Sequence, residues 1–291
     1  MKEIAIIGST ASGKTGLSIE IAKKTDSIIL SLDSLSVYKE IDIASAKPTK
    51  NERDNIIHFG IDEVYPNEEF DVIEFIKLYK KTKKYAQENN KSLIIVGGTS
   101  FYLKTLIEGM SIGVNSKIKL DIPVDEAYDL LYSLDKEYMQ KIEKNDKYRI
   151  EKAYAIYKDS KLTPTQYFKE NPKKPIAPDL KIFEILWDRD ELRRRISLRT
   201  KQMIKDGLID EVIYLENKYT REPNCMSSIG IIETLEYLDG KINKEQLEEK
   251  ISLNTAKLAK RQNTFNKGQF ENKTSNIIEN LNSDIIKYFS L

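Results

Sequence analysis

The chain has 291 residues, 40% of them hydrophobic and 32% charged, which is enough for one large core or for a core with a smaller lobe. Its formal net charge of +1 excludes a polycationic protein, so any surface that binds nucleic acid must be local. A single cysteine excludes an internal disulfide, and no apolar run approaches the ~20 residues that a membrane span needs. With no apolar signal region at the N-terminus, we expect a cytoplasmic protein that contacts no membrane.

The first predicted element is a strand, EIAII at residues 3–7, and the stretch GSTASGKT follows it directly. That stretch fits G-x-x-x-x-G-K-[ST], the phosphate-binding loop, and a helical pattern comes after it. Two glycines allow the tight turn that aims backbone N–H groups at an anion, and a lysine adds a charge for the outer phosphates. The hydroxyl of Thr15 is a ligand for Mg²⁺. The residues predicted to bind a diphosphate or nucleotide are Gly8, Ser9, Thr10, Ala11, Ser12, Gly13, Lys14 and Thr15.

Further apolar runs at 27–33, 92–99 and 181–187 are typical of buried parallel strands, and residues 71–87 have a helical pattern. Strands that alternate with helices predict an α/β fold. We expect a P-loop NTPase-like parallel sheet flanked by helices, with its ligand at the carboxyl ends of the strands.

Between residues 113 and 181 the chain becomes helical and rich in Lys and Tyr, and it ends in the proline cluster NPKKPIAPD. We interpret this segment as a mainly helical lobe inserted into a core domain of residues 1–112 and 182–291. At the C-terminus, helical spacing predicts one apolar face that packs on the core. Its residues are Ile277, Ile278, Leu281, Ile285 and Phe289.

An ATPase with a phosphate loop normally has an Asp at the end of an apolar strand, but the run LIIVGGT has glycine there. The carboxylate is instead Asp33, at the end of IILSLD. This arrangement argues against a hydrolytic motor and favours a transferase. The residues alone leave three roles open for Asp33: a base that takes a proton from a nucleophile, a helix cap, or a group that organises Mg²⁺.

Five stretches occur in an order that resembles the tRNA dimethylallyltransferases, also called tRNA isopentenyltransferases. They are GSTASGKT, DSLSVYKEIDIASAKP, VGGTSFYLKTLIEG, NDKYRIEKA and KRQNTF. The resemblance extends from Gly8 to Phe265. It implies transfer of a dimethylallyl group from dimethylallyl diphosphate to N6 of the adenosine adjacent to the anticodon of a tRNA. The phosphate loop would then hold the diphosphate leaving group, together with Mg²⁺.

The resemblance also assigns roles in catalysis. Asp33 would be the base that removes the N6 proton, and Thr10 and Thr99 would lie beside the reacting groups. Arg195 and Arg199 share a helix face at i,i+4 spacing and would close over the diphosphate, although a solvated basic face is the alternative.

For RNA, the resemblance implies that Asp33, Ser34, Leu35, Ser36 and Thr99 grip the extruded adenosine, and that Arg149 contacts tRNA. Residues 254–273 are rich in Lys and Arg, and with two phenylalanines nearby they are suitable for phosphate contacts and base stacking. From this segment we select Lys260 and Arg261 as tRNA-binding residues. We expect the anticodon stem-loop as partner and a monomeric enzyme.

Other single residues point less clearly to function. His58, the only histidine, is as suited to a structural role as to a substrate contact, and Trp187 and Cys225 are interpreted as packing residues. One His and one Cys do not make a zinc site. Two enzyme alternatives remain, a P-loop kinase and a free-nucleotide (adenylate) isopentenyltransferase. A non-catalytic RNA-binding module is the alternative from a different class.

Overall fold

The structure, a computed structural model, describes residues 1–111 and 118–290. Contacts divide the chain into two compact units, Met1–Lys104 with Asp179–Leu291, and Thr105–Pro178. The domain limits expected from the sequence remain predictions, and the expected boundary between residues 112 and 113 lies outside the described residues.

The larger unit is built on a sheet that has six strands within the described residues, in the order β3-β2-β4-β1-β5-β6. The strands are β1 (Glu3–Gly8), β2 (Ser27–Ser31), β3 (His58–Phe59), β4 (Ser92–Gly97), β5 (Lys181–Ile185) and β6 (Lys273–Asn276). Every pair of neighbouring strands is parallel. The predicted α/β fold with a parallel sheet flanked by helices is confirmed.

The helices of the larger unit lie on both sides of this sheet. They are α1 (Lys14–Thr25), α2 (Val72–Glu88), α8 (Arg189–Lys205), α9 (Leu208–Tyr219), α10 (Ile231–Leu238), α11 (Lys244–Gln269) and α12 (Ile278–Ser290). Helix α3 (Ser100–Glu108) begins in the larger unit and ends in the smaller one. No helix in the described part of the chain is both long and apolar enough to cross a membrane.

One hydrophobic core fills the space between the sheet, α1 and α12. Its α12 contribution includes Leu281 and Ile285, both 0% exposed, with Ile278 and Phe289 packed against it. The prediction was wrong for Ile277, which is 52% exposed. The reason is that Ile277 precedes the first residue of α12, so the helical spacing does not yet apply to it.

A second core joins α9, α10 and α11 to the segment that follows β2. Val37 and Ile41 of that segment are almost fully buried against Leu208 and Leu247 of the helices. Cys225 is buried in the same core. This packing holds the segment that follows Asp33 against helices α9, α10 and α11.

The smaller unit contains α4 (Val124–Leu134), α5 (Lys136–Met139), α6 (Lys147–Ser160) and α7 (Pro164–Glu170). Its own apolar core includes Leu131, Ile150 and Tyr154, each at most 1% exposed. Arg149 is exposed on α6, where its guanidinium forms a 2.7 Å ion pair with Asp146 at the helix N-terminus.

Candidate active site

Three of the predicted strands run two residues past the observed ends of β2, β4 and β5. The two residues that follow each strand in the predicted runs are therefore outside the sheet, and the second of each two is Asp33, Thr99 or Trp187. Because the strands are parallel, their carboxyl ends meet at one edge of the sheet, where the phosphate loop also follows β1. The candidate site therefore includes two residues, Asp33 and Thr99, that the strand pattern alone assigns to the sheet.

Two cavities lie at this edge, with volumes of about 530 Å³ and 810 Å³. The predicted site residues that line the first are Thr10, Lys14, Thr15, Asp33, Ser34, Leu35, Ser36, Thr99 and Arg199. Those that line the second are Ala11, Ser12, Gly13, Lys14, Thr15, Arg195 and Arg199. Gly8 and Ser9 line neither cavity and form the base of the loop. The shared residues place the phosphate loop between the two cavities.

The backbone of the loop has the form that an anion site needs. Gly13 has φ 88° and caps α1 in the left-handed region, where glycine is favoured, and Ala11 also has a positive φ of 62°. Helix α1 begins at Lys14, and its cap residue Gly13 offers no side-chain acceptor to the first N–H groups of the helix, which follow directly on the loop. A bound phosphate would satisfy them and benefit from the helix dipole.

Two side chains from distant parts of the chain support the loop. The indole Nε1 of Trp187 donates to the Ser12 carbonyl at 2.9 Å, and the Nε of Arg195 donates to the Ala11 carbonyl at 2.9 Å. The Arg195 guanidinium also lies 4.4 Å from the centre of the Trp187 ring. Trp187 therefore holds the loop as well as packing, a role that the sequence did not reveal.

Lys14 and Arg199 place two positive charges in the site. The Lys14 ammonium donates to the Ser9 carbonyl at 2.6 Å. Burial and, next, the positive charge of Arg199 lower the pKa of Lys14 to about 8, while Asp33 opposes this change. Burial also lowers the pKa of Arg199. A diphosphate would relieve both effects, because an anion favours the charged form of each group.

The lowered pKa of Lys14 predicts that the affinity for a diphosphate depends on pH. Below pH about 8 the free protein carries Lys14 charged, and above it the site must take up a proton to bind the anion. The Kd for a diphosphate is therefore expected to rise about tenfold per pH unit above that value. Titration calorimetry from pH 7 to pH 10 measures this slope. The Lys14→Met variant should bind more weakly and lose the slope; a wild-type Kd that stays constant to pH 10 would refute the assignment.

Asp33 uses one carboxylate oxygen to order the turn that follows it. Its Oδ1 accepts the N–H groups of Leu35 at 2.9 Å and Ser36 at 3.1 Å. Among the described residues, nothing donates a hydrogen bond to Oδ2. Asp33 thus acts as a cap in the turn and also has an oxygen available for a ligand in the cavity, so the cap and base roles are compatible.

Thr99 connects the loop after β4 to the turn after β2. Its Oγ1 accepts the N–H of Ser34 at 3.1 Å, and its own N–H donates to the Leu32 carbonyl at 3.1 Å. These bonds hold Thr99 beside Asp33 at the same cavity.

Gln262 of α11 is a site residue that the sequence reasoning missed. Its Oε1 accepts the N–H of Thr10 at 2.9 Å, and its Nε2 donates to the Gly98 carbonyl at 3.1 Å. Thr255 and Leu258 of the same helix also line the first cavity. Gln262 lies in the stretch KRQNTF, directly after Lys260 and Arg261. The family resemblance of that stretch is the only feature of the sequence that indicates a site residue there.

Glu211 of α9 is a second missed residue. Its carboxylate accepts the consecutive N–H groups of Asp42, Ile43 and Ala44 at 3.0, 2.7 and 2.9 Å. Burial raises the pKa of Glu211, although these three donors oppose that effect. The segment that it holds continues to Ala46, which lines both cavities.

Not every predicted RNA residue lies at the cavities. Lys260 and Arg261 are exposed on α11 and line neither, and Arg149 belongs to the smaller unit. The stacking role expected for the phenylalanines is wrong for Phe270, which is 4% exposed. The Lys273 ammonium donates to two backbone carbonyls, so it is not available as a free cation for RNA. The surface available to RNA therefore includes fewer residues than the expected segment 254–273.

His58 lies in β3 and lines the first cavity. Its Nδ1 is 2.8 Å from the carbonyl oxygen of Ile56, and burial lowers the pKa of the ring. Burial thus favours the neutral form of the ring, and its place at the cavity wall is compatible with both roles expected from the sequence.

The oxygen atoms at the site suit a magnesium ion bound mainly through a diphosphate. Thr15 is exposed at the loop and lines the first cavity together with Asp33. In the described part of the chain, no three His, Cys, Asp or Glu side chains cluster to form a metal site. Mg²⁺ is usually held by one or two protein oxygens together with substrate phosphates and water, so this set fits.

Comparison with known proteins assigns the chain a set of relatives. The profile of the IPP transferase family (IPPT) matches residues 36–269. The chain is 76% identical to the tRNA dimethylallyltransferase of Aliarcobacter butzleri, and the match covers 100% of each chain. It is 54% identical to the tRNA dimethylallyltransferase of Sulfurimonas denitrificans, and that match covers 98% of each chain.

Two solved structures are also similar. The tRNA delta(2)-isopentenylpyrophosphate transferase of Staphylococcus epidermidis is 30% identical, with a TM-score of 0.72 over 99% of this chain and 98% of that one. A eukaryotic dimethylallyltransferase captured acting on tRNA has a TM-score of 0.81 at 28% identity, over 91% of this chain and 69% of that one. The resemblance seen in the sequence motifs is confirmed.

Proposed function

The chain belongs to the IPP transferase family, and we infer that it is a transferase that prenylates tRNA. We propose that the donor is dimethylallyl diphosphate and that the acceptor is N6 of the adenosine adjacent to the anticodon. The relatives that match over the full length are named for tRNA, so a kinase or a free-nucleotide isopentenyltransferase is not favoured.

The observation that best supports this reaction is the pairing of a phosphate loop with a single carboxylate. Of the described residues, Asp33 is the one acid that lines the first cavity. The end of β4, where a hydrolase would have its Asp, has no room for a side chain. A Cβ on Gly97 would overlap the Leu32 carbonyl, and a Cβ on Gly98 would overlap the Gln262 amide. The site can hold a diphosphate and accept one proton, as a prenyl transfer requires.

The residues fit a mechanism in which the C–O bond to the diphosphate breaks as the bond from N6 to the allylic carbon forms. Lys14, Arg199 and the loop N–H groups would stabilise the negative charge that develops on the leaving diphosphate. Thr15 would hold Mg²⁺, which supplies further charge neutralisation at the diphosphate when bound. The N6 proton becomes acidic as the C–N bond forms, and the Oδ2 of Asp33 would accept it.

The adenosine must leave the RNA stack to reach this cavity, because a stacked N6 is inaccessible to a buried donor. We propose that the segment Ser34–Ser36 and Thr99 hold the extruded base at the cavity. Lys260, Arg261 and, on the smaller unit, Arg149 would contact the phosphates of the anticodon stem-loop. We propose that the enzyme acts as a monomer in the cytoplasm, where its tRNA substrate is found.

Replacing Lys260 and Arg261 together by Ala should weaken tRNA binding in proportion to the charge removed. The slope of log K against log salt should become shallower by about 2, since each phosphate contact contributes about 0.9. The matched control replaces Lys80 and Lys81, an exposed basic pair on α2, and should leave the slope unchanged. Filter binding across a salt series measures both; an equal slope in the two double variants would mean that this face of α11 does not contact RNA.

The function is tested with labelled dimethylallyl diphosphate and two acceptors, unmodified tRNA and AMP, and in a parallel reaction with ATP labelled in its γ-phosphate. We expect label only in tRNA, located by nuclease digestion and mass spectrometry at N6 of the adenosine adjacent to the anticodon. Label on AMP at a comparable rate would instead support the free-nucleotide enzyme, and transfer of phosphate from ATP would support a kinase.

A further inference from the structure

The carboxamide of Gln262 links two loops that are far apart in sequence. It accepts from Thr10, 252 residues away, and donates to Gly98, 164 residues away. Only one orientation of the amide serves both partners, because a backbone N–H needs the oxygen and a carbonyl needs the NH₂ group. The side chain therefore has a defined position rather than a choice of two.

The helix that carries Gln262 is itself anchored one turn later. Asn266 is 0% exposed, and its Nδ2 donates at 2.9 Å to the Oε1 of Glu184 on β5. The second oxygen of Glu184 accepts from the Ser275 hydroxyl at 3.1 Å. Residues four apart lie on one helix face, so this buried network fixes the turn of α11 from which Gln262 extends.

Because Gly98 has no side chain, the amide of Gln262 can occupy the space beside it. A Cβ at this position would come well within 3.0 Å of Nε2, a distance that real Cβ atoms essentially never show. No positive φ accounts for a glycine at Gly98, in contrast to Gly8 and Gly13. The steric requirement thus comes from Gln262 rather than from backbone strain.

We propose that Gln262 is a positioning residue that locks the phosphate loop to the loop after β4, and that Gly98 must be glycine to admit it. The locked loops carry Thr10 and Thr99, so the bridge sets the distance between the leaving diphosphate and the adenine. The proposal rests on the proposed function for its effect on rate, but the bridge itself is independent of the reaction.

The test is a double-mutant cycle of Gln262→Ala and Gly98→Ala. Each single variant should lower the kcat of transfer about 10²-fold, the effect of displacing reacting groups by about 1 Å, with the KM for the donor within a few-fold. The double variant should also lose only about 10²-fold, because both changes break the same bridge. Losses that multiply to about 10⁴-fold would show that Gly98 is required for another reason and would overturn the proposal.

The Gln262→Met variant allows a second test of the bridge that does not depend on the reaction. Met keeps the volume but makes neither hydrogen bond, so hydrogen exchange at the Thr10 amide should accelerate about fivefold, the equivalent of one hydrogen bond. The control Gln87→Ala removes an exposed glutamine of α2 and should change neither exchange nor kcat. Unchanged Thr10 exchange in Gln262→Met would overturn the bridge, whereas inactive wild-type protein with accelerated exchange in the variant would refute only the proposed function.

Discussion

Asp33→Asn is expected to slow single-turnover transfer by about 10²–10⁴-fold, the range that a general base contributes. Asn keeps the size of the side chain, and its oxygen can still accept the N–H groups of Leu35 and Ser36, so the turn should survive. What it lacks is the capacity to take a proton. Rapid-quench measurement with saturating donor and tRNA isolates the chemical step, and both dissociation constants should stay within a few-fold.

The rival role for Asp33 is the organisation of Mg²⁺, and it makes a different prediction. A metal-binding role requires weaker donor binding in Asp33→Asn, with partial recovery of rate at high Mg²⁺. The matched control is Asp26→Asn, an exposed site after α1 with a positive φ of 45° that Asn tolerates. A normal rate in Asp33→Asn would remove the residue from the mechanism.

Lys14→Ala is expected to lower kcat by about 10²–10³-fold, the effect of removing one donor from a preorganised anion site. Donor affinity should fall as well, because in the proposed reaction the lysine would contact the diphosphate both in the bound donor and in the leaving group. The variant should fold normally, and its free energy of unfolding should equal or exceed that of the wild type. The pKa of Lys14 is about 8 against an ordinary value of 10.5, so its charge destabilises the fold fully below pH about 8, and this cost disappears as the pH rises to 10.5.

The control for Lys14→Ala is Lys24→Ala, an exposed lysine of α1 paired with Glu20. It removes the same charge from the same helix without touching either cavity, so donor affinity and kcat should match the wild type. Equal losses in the two variants would point to net charge, and an active Lys14→Ala would exclude the loop as the diphosphate site.

The fold could be predicted wherever one local pattern decides an element. The helix expected at 71–87 is observed as α2 because its apolar positions recur with the helical period and Asp71 caps its first N–H groups. Strand β3 has two residues, and β6 is the polar stretch KTSN. Their pairing with the sheet edges, and not their hydrophobicity, makes them strands, so no sequence pattern indicates them.

The site divides in the same way. The phosphate loop is contiguous, so its residues could be named from the sequence. Trp187 and Glu211 act across 175 and 167 residues or more, and nothing in their neighbourhood indicates the backbone groups that they bind. The charged neighbours of Gln262, Lys260 and Arg261, are conspicuous in the sequence, whereas an amide that bridges two loops can be recognised only in three dimensions.

In the proposed reaction this phosphate loop holds a leaving diphosphate, and no nucleotide is hydrolysed. The most direct test counts products from one reaction of the wild-type protein with labelled dimethylallyl diphosphate and unmodified tRNA, with and without ATP. We predict one diphosphate released for each adenosine prenylated, no orthophosphate, and the same rate whether or not ATP is present. Orthophosphate formed from ATP in step with the modification, or a rate that depends on ATP, would contradict the account.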